Sequence, residues 1–366
     1  MTRIGITGFH GLLGCHVRAY LHARPDASVL GADRETFADA GKLEGFVASC
    51  DAIVHCAGMN RGDDKEVAST NVALTQALIS ACERKNAKPH IVFPSSTHVD
   101  RATPYGESKK TCAALFESWS KKAGAKFANF IIPNIFGEGG KPFYNSAVST
   151  FCYQLANDLE PKIIKDSEVE LIHAQKVATE FFEAIKNGFN GEKRLEGSRL
   201  SVSQLLAKLQ AFAGTYQRQI IPDVSQELDL ALFNTYRSYL FPKRYPMRVQ
   251  IHEDERGRLF EAIKTKNQGQ CFIGFAKPGI TRGNHYHLEK VERFFVLRGS
   301  ATIALRRLFS DEVVKFEVEG QSPEFIDIPT LHTHNITNTG REELMTLFWS
   351  HYIFDAEKPD TYKETV

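Results

Sequence analysis

Four short stretches of the chain carry residue types at spacings that chemistry uses. Tyr105-Gly-Glu-Ser-Lys109 sets a phenol and an ammonium four positions apart. On a helix they share a face, and a neighbouring ammonium favours the phenolate, so the pair is suited to exchanging a proton with a substrate oxygen. Ser96 closes a β-rich run just upstream and is expected to hydrogen-bond that same oxygen. Near the start, Thr7-Gly8-Phe9-His10-Gly11-Leu12-Leu13-Gly14 is a glycine turn of the kind that lets a backbone approach a pyrophosphate and aims a helix N-terminus at it. Far downstream, His285-Tyr-His287 places two imidazoles on one side of a strand, Glu292 follows on the next pass, and His334 arrives from a later segment. Three histidines and a carboxylate suit zinc, iron, manganese or nickel; zinc is the expected ion.

These residues need scaffolds, and the pattern supplies two. Over residues 2 to 133, β-rich runs at Arg3 to Thr7, Val29 to Asp33, Ala52 to Cys56, His90 to Pro94 and Phe127 to Ile132 alternate with helical patterns. That rhythm predicts an α/β, Rossmann-type doubly wound parallel sheet whose carboxyl edge binds ligands. Each run stops there at a small or polar residue: the glycine turn, Asp33, Ala57-Gly58, Ser95-Ser96 and Pro133-Asn134. Residues 134 to about 240 mix aromatic and polar residues irregularly, as a substrate-covering lobe would. The stretch FPKRYPMRV at 241–249 carries two prolines and three cations, and beyond it the period becomes two. The boundary is therefore set between residues 243 and 244, with a small antiparallel all-β barrel after it.

Asp33 lies about twenty residues beyond the glycine turn, where an acid that binds a ribose hydroxyl belongs. Arg34 beside it would pair with a 2′-phosphate instead. With the guanidinium folded over the adenosine and Asp33 turned aside, NADPH is favoured over NADH.

Composition removes other classes. The 366 residues are 42% hydrophobic and 24% charged, with 45 basic against 44 acidic side chains, so no bulk field recruits nucleic acid or an anionic membrane. No apolar run reaches the roughly 20 residues of a membrane span, and a cytoplasmic location is expected. Seven cysteines without a CxxC pair suggest buried thiols instead of disulfides. His10, His16, His22, His173 and His351 are read as structural or solvent-facing.

With the glycine turn, Ser96, Tyr105 and Lys109 together, residues 1 to about 240 resemble the extended short-chain dehydrogenase/reductases that act on nucleotide sugars. The resemblance makes Ser96, Tyr105 and Lys109 the catalytic triad, Gly8, Gly11 and Gly14 the phosphate turn, Ala57 and Gly58 neighbours of the ribose, and Pro133 a neighbour of the carboxamide; Asn134 is placed against substrate. His173-Ala-Gln-Lys176 stands where many members have Tyr-Val-Asp-Asp. The spacing Gly279, His285, His287, Glu292, Gly299, with Pro329 to Asn338, resembles the two motifs of the cupin barrel, apart from Leu331 in place of glycine. Asp254-Glu-Arg256-Gly-Arg-Leu-Phe260-Glu261 and Arg282-Gly-Asn-His285-Tyr also resemble the metal-free nucleotide-sugar 3,5-epimerases, where the residue matching His285 is the base and those matching Arg256 and Glu261 bind nucleotide. His287 replaces a glutamine of that family, which favours metal. If His285 ligates, another group, His332, Lys290 or Tyr352, has to carry the proton.

Over nearly its whole length the chain is similar to the bifunctional reductase and epimerase enzymes of capsular polysaccharide synthesis. That similarity implies C3 inversion of UDP-2-acetamido-2,6-dideoxy-β-L-arabino-hexos-4-ulose in the cupin, then C4 reduction with NADPH to UDP-N-acetyl-L-6-deoxytalosamine, a precursor of UDP-N-acetyl-L-fucosamine. It also implies a homodimer through the cupin. Two alternatives stay open: a single-activity 4-reductase or 4-epimerase with a structural barrel, and a dinucleotide-binding sensor, which the Tyr105 and Lys109 pair argues against.

Overall fold

The computed structural model describes residues 1–254, 257–260, 262–266 and 269–366. The chain forms two compact units, residues 1–150 with 164–202, and residues 151–163 with 203–366.

The first unit runs β1 (Thr2–Thr7), α1 (Leu12–His22), β2 (Ala27–Ala32), α2 (Arg34–Ala38), α3 (Ala40–Ala48), β3 (Ala52–His55), α4 (Asp64–Lys85), β4 (His90–Ser96), α5 (Pro104–Ala123), β5 (Phe127–Ile132), β6 (Asn134–Phe136), the start of α6 (Ala147–Ala156), β7 (Glu168–His173), α7 (Ala174–Asn187), β8 (Gly191–Arg194) and β9 (Ser198–Ser201). Six strands pair in the order β2-β1-β3-β4-β5-β8, every pair parallel. All positions of β3 and β5 are buried, as in a sheet covered on both faces. The parallel registers pair Thr7 with His55 and Ser96 with Ile132, so the strand ends picked out by the sequence share one edge. Local chemistry starts and stops the helices. Asp63 accepts from the amides of Lys65 and Glu66 to begin α4, and Thr103 accepts from Gly106 to begin α5, with Pro104 in its first turn. Asn86 and Gly124 end them in the left-handed conformation. A second sheet joins β6 parallel to β7, and β7 antiparallel to β9.

The second unit holds most of α8 (Val202–Gln217), then β10 (Ile220–Ile221), α9 (Glu227–Ser238), β11 (Met247–Arg248), β12 (Ile251–Asp254), β13 (Gly257–Phe260), β14 (Lys264–Thr265), β15 (Gln270–Ala276), β16 (Thr281–Tyr286), β17 (Glu292–Arg298), β18 (Ser300–Arg307), β19 (Val313–Glu319), β20 (Glu324–Ile328), β21 (His332–Asn338), β22 (Leu344–Ser350) and β23 (Tyr362–Lys363). Its main sheets are both five-stranded and antiparallel, β11-β20-β17-β22-β15 and β19-β18-β21-β16-β23. These two sheets are the antiparallel, cupin-type part expected after the parallel sheet.

Packing divides the chain elsewhere than the change of period at 241–249, because α8 and α9 belong with the barrel. Tyr216 on α8 donates to Asp327, whose carboxylate also takes a two-pronged pair from Arg293, at 2.7 and 2.9 Å. Arg237 on α9, fully buried, donates to the carbonyls of Ile328 and Lys290 and to Asn234 Oδ1. Those buried cations make the helices part of the second unit's interior, an arrangement that helical periodicity does not display. The cysteines form no disulfide; Cys271 is exposed, unlike the buried thiols expected.

Candidate functional site

In the first unit the glycine turn does what its spacing predicts. Gly8 has φ +65°, and a Cβ there would fall 2.8 Å from the backbone of Ala57, so the turn lies directly against the end of β3. A Cβ on Gly14 would fall 2.4 Å from the Gly8 carbonyl oxygen, which fixes α1 close against the turn. Gly11 is the N-cap of α1 and brings no side-chain cap, so the first amides of the helix are not claimed by a capping side chain. Thr7 Oγ1 accepts from the Ala57 amide at 3.0 Å and contacts His55 Nδ1 at 2.9 Å, tying β1 to β3 beneath the turn. Burial, with the charge of Lys109, pushes His55 down to about 3, so that ring is neutral.

At the end of β4, Ser96 Oγ accepts from the His98 amide at 3.2 Å and starts a 3₁₀ turn over Thr97–Asp100. Lys109 Nζ donates to the Pro94 carbonyl at 2.9 Å and stands 4.6 Å from the Phe93 ring centroid and 5.8 Å from that of Tyr105. A Cβ on Gly106 would fall 2.2 Å from the His98 carbonyl oxygen. The glycine inside Tyr-Gly-Glu-Ser-Lys thus lets α5 press on that turn, bringing Tyr105, Lys109 and Ser96 to one end of β4. Asn71, from α4, was missed by sequence reasoning. Its Oδ1 accepts from the Met59 amide at 2.7 Å, and its Nδ2 donates to the Met59 carbonyl at 2.9 Å and to Ser108 Oγ at 3.2 Å. It bolts the segment after Ala57-Gly58 to the helix of Tyr105; the available signal was an asparagine in the middle of a helix.

Asp33 Oδ1 accepts from Thr36 twice, from the amide at 2.8 Å and the hydroxyl at 2.9 Å, capping α2. Those bonds, the amide's first, hold the carboxyl below its ordinary value. Arg34 is exposed at the start of α2. Pro133 is buried after β5, and Asn134 is exposed, its Nδ2 donating to the Glu170 carbonyl at 3.1 Å. Ser95 alternates to the opposite side of β4 from Ser96 and lines, with Asn129 and Arg194, a cavity of about 960 Å³ that is lined by none of Ser96, Tyr105 and Lys109. His16 does not face solvent: it is buried with Glu138 and His173.

In the second unit His285 pairs with His334 across β16 and β21, Glu292 opens β17, and His287 follows β16. One ligand atom from each of the four lies within 4.8 Å of the others. His287 Nε2 is 3.0 Å and His334 Nε2 3.5 Å from Glu292 Oε2. The far nitrogens are held by carbonyls, His287 Nδ1 by Asp360 at 2.5 Å and His334 Nδ1 by His332 at 3.3 Å, which turns both Nε2 atoms inward. Burial, helped by the two neighbouring histidines, pushes His285 down to about 3. Burial alone would raise the Glu292 carboxyl; the charge and hydrogen bond of His287, joined by His334, outweigh it and hold the group well below the carboxylate range. Among the described residues His334 Nε2 is buried with no hydrogen bond closer than its 3.5 Å approach to Glu292. An inward-facing orphan nitrogen, two more imidazoles and an ionised carboxylate fit a divalent metal.

Asp360 does more than face His287. Its Oδ1 accepts from the Leu288 amide at 2.9 Å, and its Oδ2 from those of Glu289 and Lys290 at 2.9 and 2.7 Å. β23 just beyond pairs with β16, Lys363 opposite His285. Lys290 Nζ donates to Thr361 Oγ1 at 2.9 Å and sits 5.5 Å from the Tyr352 ring centroid; His332 packs at 4.8 Å against Phe241. His351 Nδ1 accepts from the Val291 amide at 3.0 Å, a structural role as expected. Arg256 and Glu261, assigned to nucleotide, lie outside the described residues.

Residues 252–362 match the polysaccharide biosynthesis C-terminal domain, and residues 4–195 the NAD dependent epimerase/dehydratase family. The chain is 30% identical over 98% of both chains to a UDP-2-acetamido-2,6-beta-L-arabino-hexul-4-ose reductase of Pseudomonas aeruginosa. Among solved structures it is similar to the capsular polysaccharide assembling protein CapF of Staphylococcus aureus, at 32% identity and TM-score 0.65, over 99% of this chain and 100% of that one. That full-length match bears out the resemblance read from the motifs. A Pseudomonas aeruginosa protein, RMD, solved with NADPH, shares the fold at 17% identity and TM-score 0.57, over 66% of this chain and 99% of the other. On the span of the family match and the full-length likeness together, the chain belongs to the NAD dependent epimerase/dehydratase family.

Proposed function

We propose that the protein is a bifunctional nucleotide-sugar enzyme: the barrel inverts C3 of UDP-2-acetamido-2,6-dideoxy-β-L-arabino-hexos-4-ulose, and the first unit then reduces C4 to UDP-N-acetyl-L-6-deoxytalosamine, on the way to UDP-N-acetyl-L-fucosamine. The observation that carries the reading is the meeting of Tyr105, Lys109 and Ser96 at the carboxyl edge beside the glycine turn. The name of the full-length Pseudomonas aeruginosa relative supplies the sugar.

The turn, Gly8, Gly11 and Gly14 with Ala57 and Gly58, fits a dinucleotide, and Pro133 walls its nicotinamide end. When bound, NADPH supplies the hydride for C4. Tyr105 gives the C4 oxygen its proton, Ser96 donates to the same oxygen, and Lys109 keeps a positive charge beside the phenol and the ribose. Asn134 contacts the sugar. Asp33, spent on capping α2, leaves the exposed guanidinium of Arg34 as the group that meets a 2′-phosphate, which favours NADPH over NADH.

A ketone at C4 acidifies the C3 hydrogen, so inversion has to precede reduction. His285, His287, Glu292 and His334 would hold a divalent metal, most fittingly zinc, which when bound would supply Lewis acidity. Lys290 and His332, both buried, and the part-buried Tyr352 are the candidates to carry the C3 proton, while Arg256 and Glu261 are assigned to the nucleotide. A homodimer through the barrel is supported by β15, an edge strand with Phe272, Ile273 and Phe275 exposed at 43%, 53% and 50%.

Proton NMR in D₂O with the UDP-4-keto-acetamido sugar and no nicotinamide tests the division of labour. Loss of the C3 proton signal supports epimerisation independent of hydride transfer. An unchanged signal, with reduction once NADPH is added, overturns the epimerase half and leaves a reductase with a structural barrel.

A further inference from the structure

The chemistry above leaves unused a cluster in the first unit drawn from three elements: His16 from α1, Glu138 from the turn after β6, and His173 from the end of β7. Their ligand atoms lie within 4.8 Å of one another, and His16 and Glu138 are buried. His173 Nε2 is 2.9 Å and His16 Nε2 3.9 Å from the same oxygen, Glu138 Oε2. The two rings stand edge to face with centroids 5.4 Å apart. Around a tetrahedral zinc, with bonds of about 2.0–2.1 Å, neighbouring donors are separated by roughly 3.4 Å. The two observed separations bracket that value, so small side-chain rotations reach it.

Approach and orientation are present as well. A Cβ on Gly137 would fall 2.9 Å from His16 Nε2 and 3.2 Å from His173 Nε2, so only a glycine lets the backbone sit this close to both ring nitrogens. Gln175 Oε1 lies 3.0 Å from His16 Nδ1, the place of the outer acceptor that fixes a ligating histidine's tautomer. His16 Nε2 is in hydrogen-bond contact with the Glu138 carbonyl at 3.0 Å and lies 3.9 Å from its carboxylate, and a neutral ring donates to Gln175 or to that carbonyl but not to both. Donation to Gln175 leaves the Nε2 lone pair for a cation.

We propose that His16, Glu138 and His173 form a second divalent-cation site, of the zinc class, distinct from the four-residue centre of the barrel. It staples the helix behind the glycine turn to β6 and β7, the strands that follow Pro133 and carry Asn134. The side chain of His173 is 13% exposed, which leaves one face of the site open to water.

The test uses the full-length chain carrying His285→Ala and His334→Ala, stripped with a chelator, dialysed against zinc and assayed for metal per chain. One equivalent is expected, and it disappears when Glu138→Gln or His173→Asn is added. Zinc should raise the thermal midpoint of the parent double variant and leave that of the Glu138→Gln version unmoved, which separates loss of a ligand from loss of fold. No bound zinc in the parent, or one equivalent that persists with Glu138→Gln, overturns the proposal and makes the cluster a hydrogen-bonded one only.

Discussion

Tyr105 and Arg34 are the side chains at which the reductase reading is most exposed to test. Tyr105→Phe removes the proton that the C4 oxygen must receive while keeping the ring that packs at 5.7 Å against His98. Reduction is expected to slow about 10²- to 10⁴-fold, the range typical of a positioned general acid. C3 hydrogen exchange in D₂O should persist, because no barrel residue is touched, and its loss would break the assigned division. Arg34→Ala should raise the KM for NADPH roughly tenfold or more and leave that for NADH little changed, since only the former carries the phosphate that a guanidinium binds. Equal weakening of both would return specificity to Asp33. The sequence favours NADPH by turning Asp33 aside. The amide and hydroxyl of Thr36, three residues on, occupy Asp33 Oδ1 and support that reading; nothing in the spacing of Asp33 from the glycine turn announces them.

At the level of elements, the segment Pro359 to Glu364 shapes the barrel centre without lending it a ligand. Asp360 holds three consecutive amides of the turn between His287 and Glu292 and gives its carbonyl to His287. Asp360→Ala keeps the backbone carbonyl that His287 meets but frees the three amides of the turn, and should lower zinc affinity about tenfold, measured by competition with a chromogenic chelator. Asp360→Asn, which keeps one acceptor oxygen, should recover part of it; unchanged affinity in both variants would reduce the segment to covering. The parallel strands, the glycine turn, the Tyr105 and Lys109 pair and the run from His285 to Glu292 were legible because each is a short-range pattern: a period, a spacing, an i,i+4 pair. Asn71, Asp360 and the assignment of α8 and α9 to the barrel unit were not, because each depends on partners far along the chain, such as Asp360 with His287 or Tyr216 with Asp327. His16 and His173 were set aside for the same reason, since only the fold brings Glu138 between them.

Across the whole molecule, buried neutral histidines set a common response to acid. His55 is pushed down to about 3 and His90 to about 4, in each case mainly by burial. In the unfolded chain each takes a proton near pH 6.5, so below that pH the unfolded state binds protons that the native state refuses. Stability should be complete above about pH 6.5 and fall as pH drops toward 4, by about 1.4 kcal/mol per pH unit for each such ring once well below its unfolded pKa. Urea titrations at stepped pH check this: His55→Asn, whatever its cost at pH 8, should flatten the slope, and an unchanged slope would show that the ring is not kept neutral. Metal removal gives the complementary whole-molecule result. After chelation the protein should lose C3 exchange and still reduce a substrate already inverted at C3, followed by NADPH absorbance; parallel loss of both would join activities here assigned separately.

The clasp of Asp360 on His287 spans a sequence separation of 73 residues, and that separation sets an order on biosynthesis. While the ribosome still holds Asp360, His285, His287, Glu292 and His334 have all been translated ahead of it, yet the carbonyl that orients His287 and the strand that pairs with His285 are missing. The nascent barrel therefore carries all four side chains before it can arrange them, and tight binding of the proposed ion has to await the emergence of Asp360.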